Sequence, residues 1–365
     1  MKKLNITREQ EKLLLTGEFL NEPQTLLYTT DPSFSNKVYK KEFLLNGEKQ
    51  IDLSEVSSNQ RIYVAGIDNQ QVYVGAERRV SINGLYNCRD LGGYVTKEKQ
   101  MTKWGYLFRS DAPDHLLVED QRYLKQMDIK TVIDLRSPGE IEKNPDKDMG
   151  ETDHVELDPH AEVAKKASEV PSQGTSNKDE VKVHMLEQLA STAEGQATLI
   201  KWQKQMIQQM HDLVMTEKSQ AAYSIFLKMV NQTAEPKALI FHCQGGKDRT
   251  GWGAALILGL LGVDKKTIYQ DYLLTDTYNR PRNEMRMAIY KQYTDNAFVL
   301  DYLASLQQTK VDYLDGAFHV MEKEFGTIEA YAKEKLDVTD SDIQRLKSTY
   351  LYNEKDRQNI LNRWK

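Results

Sequence analysis

Over most of this chain, short apolar runs alternate with longer amphipathic segments. Residues 238–241 read Ala-Leu-Ile-Phe, typical of a buried strand, and the apolar stretch at 252–261 is typical of a buried helix. The short run at 130–135 follows a helical segment at 119–127, and residues 155–157 are a further candidate strand. Strands separated by helices pair in parallel, with right-handed crossovers. We therefore predict an α/β fold in which helices flank a parallel-rich sheet.

The N-terminal part of the chain has a different pattern, with the two-residue period of strands. One candidate strand at 38–45 ends at Asn46-Gly47, a residue pair that favours a tight turn. Residues 61–67 and 71–75 predict a hairpin. Several short strands joined by such turns favour a small β-sandwich. The alternative is that these strands extend the sheet of the following domain.

The change of pattern near residue 80 suggests two domains, a β-rich domain at 1–80 and a larger domain at 81–365. Within the larger domain, residues 181–214 are helical with dispersed methionines and leucines. They predict either an amphipathic helix pair that packs on the core or a lid, formed by an insertion at 159–215, that covers a substrate path. From about residue 282 onward the chain is mostly helical.

The segment between the strand at 238–241 and the helix at 252–261 carries the chemistry. It reads His-Cys-Gln-Gly-Gly-Lys-Asp-Arg-Thr-Gly at 242–251. A helix start presents unpaired N–H groups and about half a positive charge, so this loop is a candidate anion site. The residues that we expect to bind the anion are Gln244, Gly245, Gly246, Lys247 and Thr250.

Two side chains suit this loop to act on a phosphate. Cys243 lies near a helix start and the cations Lys247 and Arg249, an environment that favours the nucleophilic thiolate. Arg249 can return over the same cavity, and its planar fork fits two phosphate oxygens. We expect the Thr250 hydroxyl to bond the thiolate and Asp248 to be an acid on the leaving-group side.

This loop resembles the phosphate-binding loop of cysteine-dependent protein tyrosine phosphatases, and its Gly-Lys-Asp-Arg-Thr-Gly variant is similar to an atypical, lipid-acting or dual-specificity bacterial branch of that family. The resemblance covers roughly residues 81–290. Four further segments carry it: Asn-Cys-Arg-Asp-Leu-Gly-Gly at 87–93, Phe-Arg-Ser at 108–110, Asp-Leu-Arg-Ser at 134–137 followed by Glu140, and Asp-Tyr-Leu-Leu-Thr at 271–275. Residues 1–80 match no known pattern.

The resemblance implies a two-step reaction that uses Cys243, Arg249 and Asp248 as catalytic residues. Cys243 would form a cysteinyl-phosphate, Arg249 would hold the equatorial oxygens, and water would then release phosphate. Many relatives take their acid from a Trp-Pro-Asp loop, which this chain lacks. In the bacterial branch the aspartate inside the loop is the proposed acid, which corresponds to Asp248. The alternative acids in this chain are Asp111, Asp158 and Asp212.

Other residues are expected to support the loop. These are His242, which orients it or simply packs beside it, and the family segment that contains Asn87, Arg89 and Asp90. Arg136 and Glu140 are spaced as an ion pair that stabilises a turn.

Two other kinds of site fit this segment poorly. A nucleotide-binding P-loop needs a glycine at position 241, where this chain has Phe241, and Ser or Thr at position 248. No second cysteine or histidine lies at metal-ligand spacing from Cys243, so we expect neither a metal nor a cofactor.

Composition narrows the function classes. The 365 residues carry a formal charge of −5 and a pI of about 5.9, which disfavours nucleic-acid binding. Two cysteines do not support a disulfide-built fold. The N-terminus has no apolar signal region and no stretch reaches transmembrane length, so we expect a cytoplasmic protein without stable membrane insertion. Secretion followed by removal of a signal is the alternative.

We expect a phosphatase whose partner is a phosphorylated protein, acting on phosphotyrosine with tolerance for phosphoserine, phosphothreonine or phosphoinositides. Because Lys247 adds a cation to the loop and phosphoinositides carry several phosphates, a strict phosphoinositide phosphatase is an alternative. The acidic chain without a basic cluster argues against binding to an anionic membrane. A non-catalytic module that binds phosphorylated partners is the alternative from another class. Such modules usually lack the cysteine, the arginine or the acid, and all three are present here.

Overall fold

The structure is a computed structural model. It describes residues 1–9, 12–16, 24–36, 38–43, 50–52, 60–68, 71–161, 178–233 and 235–364. The predicted Asn46-Gly47 turn and the part of the predicted lid at 162–177 lie outside these residues.

Two sheets are built from the strands that precede residue 77. These strands are β1 (Lys2–Lys3), β2 (Asn5–Glu9), β3 (Lys12–Thr16), β4 (Gln24–Thr29), β5 (Tyr39–Phe43), β6 (Gln50–Asp52), β7 (Tyr63–Asp68) and β8 (Gln71–Ala76). One sheet has the order β1-β8-β7-β4-β5 and the other the order β2-β3-β6. The predicted hairpin is confirmed, since β7 and β8 are antiparallel with Asp68 opposite Gln71.

The two N-terminal sheets share one apolar core, and we call this pair of sheets the N-terminal sandwich. Their shared core contains Leu4, Ile6, Leu13, Leu15, Leu26, Ile62, Val64 and Tyr73. Period-two alternation places these apolar side chains on the inner faces. Within the described residues, these strands therefore form two sheets around one core and do not extend the sheet that follows.

The central sheet consists of β9 (Arg89–Asp90), β10 (Leu107–Ser110), β11 (Ile129–Asp134), β12 (Asp153–Glu156) and β13 (Ala238–His242). Its order is β12-β11-β13-β10-β9, parallel throughout except for the antiparallel edge strand β9. The predicted parallel-rich sheet is confirmed. Because β13 pairs with β10 on one side and β11 on the other, Ser110 and Asp134 end level with His242. Polar residues from three strands thus meet at one edge of the sheet.

Twelve helices are present in the described residues. They are α1 (Val118–Gln126), α2 (Pro138–Lys143), α3 (Lys178–Ala190), α4 (Ala193–Met215), α5 (Glu217–Val230), α6 (Asp248–Leu260), α7 (Lys265–Tyr290), α8 (Ala297–Gln307), α9 (Val311–Phe325), α10 (Ile328–Lys335), α11 (Asp340–Tyr350) and α12 (Glu354–Trp364). Helix α6 is buried along nearly its whole length, and its apolar side chains leave no polar face. The predicted strand–loop–helix unit is therefore confirmed.

Helices α3 and α4 correspond to the predicted helical segment at 181–214. The second half of α4 is part of the main core through Met206, Met210 and Leu213. Helix α3 and the first half of α4 instead share a separate apolar cluster with α7 and α8, which includes Val183 and Leu199. Both helices therefore pack against apolar clusters, as the first of the two predictions describes. Their action as a lid stays a prediction.

The N-terminal sandwich is joined to the rest of the chain by a buried interface. The outer face of the five-stranded sheet packs against Trp104 and Tyr352. Nη2 of Arg61 lies 2.9 Å from Oδ2 of Asp90, and both side chains are almost fully buried. The two parts therefore share a core and a buried ion pair, although separate folding of residues 1–80 stays a prediction.

Replacing Arg61 with alanine should leave the Asp90 carboxylate buried without its cation. Removing one partner of a buried ion pair lowers the free energy of unfolding by about 3 kcal/mol. Urea unfolding followed by circular dichroism measures this loss. The matched control is Lys125→Ala, which removes an exposed partner of Asp148 and should cost at most about 1 kcal/mol. Equal unfolding midpoints for the two variants would show that the Arg61–Asp90 ion pair does not stabilise the protein more than an exposed pair does.

Candidate active site

The loop of residues 243–247 lies between the end of β13 at His242 and the start of α6 at Asp248. It therefore lies at the carboxyl edge of the parallel sheet and at the positive end of the α6 dipole, where two independent features favour an anion. The carbonyl of Gln244 accepts a hydrogen bond of 3.3 Å from the N–H of Ala112, just beyond β10. The neighbouring strand thus holds the outer side of the loop.

The buried thiol of Cys243 is poised to ionise. Burial by itself raises the pKa of Cys243, but the positive charge of Arg249 and interactions with the side chain and backbone of Thr250 outweigh burial. The pKa of Cys243 consequently lies below that of an ordinary cysteine. A thiolate stabilised in this way is the form that attacks electrophiles. The structure thus brings together Cys243, Arg249 and Thr250, as the sequence predicted.

The guanidinium of Arg249 is held by Glu140 at the start of α2. Its Nη1 and Nη2 donate to the two carboxylate oxygens of Glu140 at 2.7 and 2.8 Å, and Nη1 also donates to the carbonyl of Leu135 at 3.0 Å. Glu140 itself forms a capping box with Ser137, the N-cap of α2. The bidentate geometry fixes the plane of the guanidinium. Glu140 therefore positions the cation that lowers the pKa of Cys243.

The predicted Arg136–Glu140 ion pair is wrong. Arg136 instead binds Asp134, with Nη2 at 2.7 Å from Oδ2, and Asp146, with Nη2 at 2.5 Å from Oδ1. The Glu140 carboxylate accepts the N–H of Ser137 at the start of α2, and from that position it also accepts from Arg249. Sequence spacing correctly identified Arg136 and Glu140 as members of ion pairs but assigned them the wrong partners. Asp146 lies ten residues after Arg136, and the folded chain brings the two side chains together.

His242 belongs to a buried cluster beneath the loop. Its Nε2 lies 2.9 Å from Oδ2 of Asp146, and its Nδ1 lies 3.8 Å from Oδ1 of Asp134. Burial lowers the pKa of His242, but the two carboxylates outweigh it and raise the pKa above its ordinary value. Potential ligand atoms of Asp134, Asp146 and His242 lie within 4.8 Å of one another, and Arg136 supplies the cation that both carboxylates bind. This cluster anchors the residue before Cys243 to β11.

Asn87 and Arg109 hold the loop carbonyls from outside. Nδ2 of Asn87 donates to the carbonyls of Gly245 and Gly246 at 3.2 and 3.1 Å, and Nη2 of Arg109 donates to the Gly246 carbonyl at 2.8 Å. In a trans peptide the N–H points opposite to the C=O. The N–H groups of Gly246 and Lys247 are therefore directed away from these donors, toward the concave side of the loop.

Glycine is required at position 246 for two reasons. Its φ is +61°, in the left-handed region, and a Cβ there would lie 2.4 Å from the carbonyl oxygen of Ser110. The loop thus approaches the end of β10 too closely for any side chain.

The two charged residues of the 87–93 segment have different partners. Arg89 donates to Asp271 and Thr275 on α7, with Nε 3.0 Å from Oδ1 of Asp271. Burial raises the pKa of Asp271, but Arg89 and Arg109 outweigh it and hold that pKa well below its usual range. Asp90 faces the N-terminal sandwich instead and accepts from Arg61 and the N–H of Gly105. Arg89 reaches the loop through Asn87, whose side-chain oxygen and carbonyl both accept from its Nη1, and through Asp271 and Arg109. Among the described residues, Asp90 makes no hydrogen bond or ion pair with the loop.

The side chain of Lys247 is directed away from the cavity of the loop. Its Nζ donates to the carbonyls of Leu306 and Gln308 at 3.0 and 3.1 Å, at the C-terminal end of α8. A lysine at a helix C-terminus satisfies carbonyls that have no partner within the helix. The same Nζ also lies 3.5 Å from Oδ2 of Asp248. The expected second cation thus fastens the loop to α8 and adjoins a candidate acid, and the backbone of Lys247 is left to bind an anion.

The four candidate acids occupy distinct environments. Asp248 begins α6, and its Oδ1 accepts a hydrogen bond of 3.1 Å from the hydroxyl of Tyr272. Asp158 follows β12. Burial lowers the pKa of Arg249, but the charges of Glu140, Cys243 and, more weakly, Asp158 outweigh burial and raise that pKa. Asp111 accepts the backbone N–H groups at positions 86 and 87, and Asp212 accepts from Gln208 on an exposed face of α4. Asp248, Asp158 and Asp111 therefore lie near the loop, but the oxygens of Asp111 already accept two backbone N–H groups.

Comparisons with known proteins agree with this geometry. A family model described as the tyrosine phosphatase family matches residues 80–352. A protein named "Putative tyrosine-protein phosphatase" from Cupriavidus necator is 26% identical over 274 residues, which cover 74% of this chain and 88% of that protein. The triple specificity protein phosphatase PtpB of Mycobacterium tuberculosis is 21% identical over 291 residues, or 73% of this chain and 97% of PtpB. The chain belongs to the tyrosine phosphatase family and is a hydrolase of that class.

Sequence reasoning missed the positioning roles of Glu140, Arg109 and Asp271. Glu140 was visible as the last residue of a Ser-x-x-Glu capping box, a motif that explains the helix start but not the second bond to Arg249. Arg109 ends a strand parallel to β13, so the topology, once known, predicts its place beside the loop. Asp271 lies too far along the chain for any spacing rule to pair it with Arg89 and Arg109.

Replacing Glu140 with glutamine should lower kcat/KM for an aryl phosphate by about a hundredfold, because small displacements of a positioning group cost rates of that size. Stopped-flow or plate assays with para-nitrophenyl phosphate measure the change. Glu142→Gln, an exposed carboxylate on the same helix, is the matched control and should act like the parent protein. If both variants lose activity equally, Arg249 does not depend on Glu140.

Proposed function

We propose that this protein is a cysteine-dependent phosphatase that acts on phosphotyrosine, with tolerance for phosphoserine, phosphothreonine and phosphoinositides. The observation that carries the proposal is the position of the buried Cys243 thiol between β13 and the start of α6, together with Arg249, whose guanidinium Glu140 fixes at 2.7 and 2.8 Å. The positive charge of Arg249 lowers the pKa of Cys243 against the effect of burial. Cys243, Arg249 and Asp248 are the proposed catalytic residues. Backbone N–H groups of the loop from Gln244 to Lys247, together with Thr250, are the proposed phosphate ligands.

The reaction would have two steps. The Cys243 thiolate attacks phosphorus, the P–O bond to the leaving group breaks, and an acid donates its proton to the departing oxygen. A water molecule then attacks the cysteinyl-phosphate, releases inorganic phosphate and restores the thiolate, while the same carboxylate accepts the water proton. Arg249 and the loop N–H groups stabilise the charge on the equatorial oxygens in both steps.

The range of substrates draws support from one relative. The Mycobacterium tuberculosis protein is named a triple specificity phosphatase, and its similarity covers nearly all of its own length. A strict phosphoinositide phosphatase has less support, because the Lys247 ammonium is already engaged by carbonyls of the α8 end and by the Asp248 carboxylate. A non-catalytic binding module has no need of a cysteine with a lowered pKa.

We also infer that the protein works where thiols stay reduced, such as the cytoplasm, because an oxidised Cys243 could not attack phosphorus. In the part of the chain that the structure describes, no helix combines the length and apolarity that crossing a bilayer demands.

Cys243→Ser should lower kcat for aryl phosphates by on the order of 10⁵-fold, since a serine hydroxyl does not ionise in this environment. Cys88→Ala serves as the control because Cys88 is the other cysteine and its side chain belongs to a different apolar cluster from that of Cys243. Retained affinity of the Cys243→Ser protein for inorganic phosphate, measured by thermal shift, shows that the site is intact. Turnover that survives this substitution would rule out covalent catalysis by Cys243.

Asp248→Asn and Asp158→Asn together identify the acid. Loss of the proton donor should slow a poor leaving group by about a hundredfold while slowing a good one far less. Phenyl phosphate and a fluorinated umbelliferyl phosphate provide the two leaving groups. We expect the leaving-group effect in Asp248→Asn. Its appearance in Asp158→Asn alone would transfer the role to the loop after β12.

A further inference from the structure

Arg282 on α7 lies beside the phosphate loop without being part of it. A Cβ built on Gly245 would lie 3.4 Å from Nη2 and 3.9 Å from Nη1 of Arg282. The charge of Cys243 acts on this guanidinium, which places it within electrostatic reach of the nucleophile. The side chain is about one quarter exposed, so it opens to solvent at the mouth of the site.

Arg282 has few partners of its own. Among the described residues, its nearest carboxylate is Asp111, with Nη1 3.9 Å from Oδ2, and its buried Nε has no hydrogen-bond partner. Asp111 is already engaged by the backbone N–H groups of Tyr86 and Asn87 at 3.1 and 2.8 Å. The remaining contact recorded for Arg282 is a long one of 3.4 Å from Nη2 to the side chain of Asn283. Its donors are thus incompletely used.

Two more cations extend the charge away from Arg282. Arg286 is one helical turn further along α7. Its Nη2 donates to the hydroxyl of Tyr290 at 3.0 Å and lies 3.9 Å from Oδ1 of Asp179 on α3. Lys182, also on α3, is near Arg286, and burial together with that guanidinium lowers the pKa of Lys182 to about 8. Three cations thus adjoin two carboxylates, Asp111 and Asp179. Crowded like charges are costly unless an anion joins them.

We propose that Arg282 and Arg286 form a second phosphate subsite at the mouth of the loop, which binds a ring phosphate adjacent to the one that is hydrolysed on a phosphorylated inositol headgroup. This inference rests on the proposed function, because it assigns a substrate class to the same site. Arg282 contributes the fork that faces the loop, and Arg286 adds charge behind it.

Among the proposed substrates, those with an inositol headgroup are the ones whose second phosphate fits the position of Arg282. Because the guanidinium lies where a side chain on Gly245 would meet it, an anion that it binds lies close to the scissile phosphate. Adjacent phosphates on a six-membered ring meet this condition. In a phosphotyrosyl peptide the aromatic ring separates the phosphate from every neighbouring side chain, so a second acidic group lies too far out.

Substitution Arg282→Gln tests the subsite through a ratio of kcat/KM values. The substrates are a dioctanoyl phosphatidylinositol with two adjacent ring phosphates, its counterpart with one ring phosphate, and para-nitrophenyl phosphate. We expect the ratio of the bisphosphate to the aryl phosphate to fall by about tenfold to a hundredfold, the effect of one charge-assisted hydrogen bond. Arg286→Gln should lower the same ratio by a smaller factor. Arg280→Gln, an exposed arginine on the same helix, is the control.

Each other outcome overturns the assignment. Equal losses on all three substrates would make Arg282 a general determinant of the loop, and an unchanged ratio would mean that it contacts no second phosphate. A loss confined to a peptide with two neighbouring phosphotyrosines would assign the subsite to peptides instead. If the parent protein hydrolyses none of these substrates, the proposed function fails. Thermal melts of the variants separate these results from misfolding.

Discussion

The site depends on a buried guanidinium, that of Arg249, which must keep one orientation in order to stabilise the Cys243 thiolate. In this protein the Glu140 carboxylate holds that orientation. The bidentate contact uses both carboxylate oxygens and leaves the remaining face of Arg249 for an anion. Without that carboxylate, the buried guanidinium would keep, among the described residues, only the Leu135 carbonyl as an acceptor for its terminal nitrogens. The lowered pKa of Cys243 follows from this arrangement, and so does the capacity of the loop to attract phosphate.

The loop is held by two buried ionic networks on opposite sides. Beneath its entrance, His242 joins Asp134 and Asp146, with Arg136 between the carboxylates. Behind its turn, Arg109 connects the loop to Asp271 on α7. Preorganised donors act on developing charge without having to move during the reaction. The site thus consists of a short flexible sequence made rigid by partners from β9, β10, β11 and α7.

Much of this could be predicted from local sequence. The strand, the loop and α6 follow from one apolar run, two glycines and a second apolar run, because each element is specified within a few residues. The partners of charged residues could not be predicted in the same way. Arg136 finds Asp146 and Arg89 finds Asp271 across the fold, and a sequence pattern cannot choose among carboxylates that are brought together only by the sheet. Lys247 illustrates the same limit, since the carbonyls that it binds belong to a helix end about sixty residues away.

The way in which the central sheet ends has a consequence for association between chains. Unpaired strand edges are templates for pairing with another molecule. Strand β9 is only two residues long, and the segment that leaves the sandwich crosses it, with the N–H of Asp90 donating to the carbonyl of Arg78 and Arg79 bridging Arg89. The opposite edge, β12, presents exposed charged side chains. Both borders therefore discourage sheet-to-sheet aggregation, and the N-terminal sandwich contributes protection as well as core.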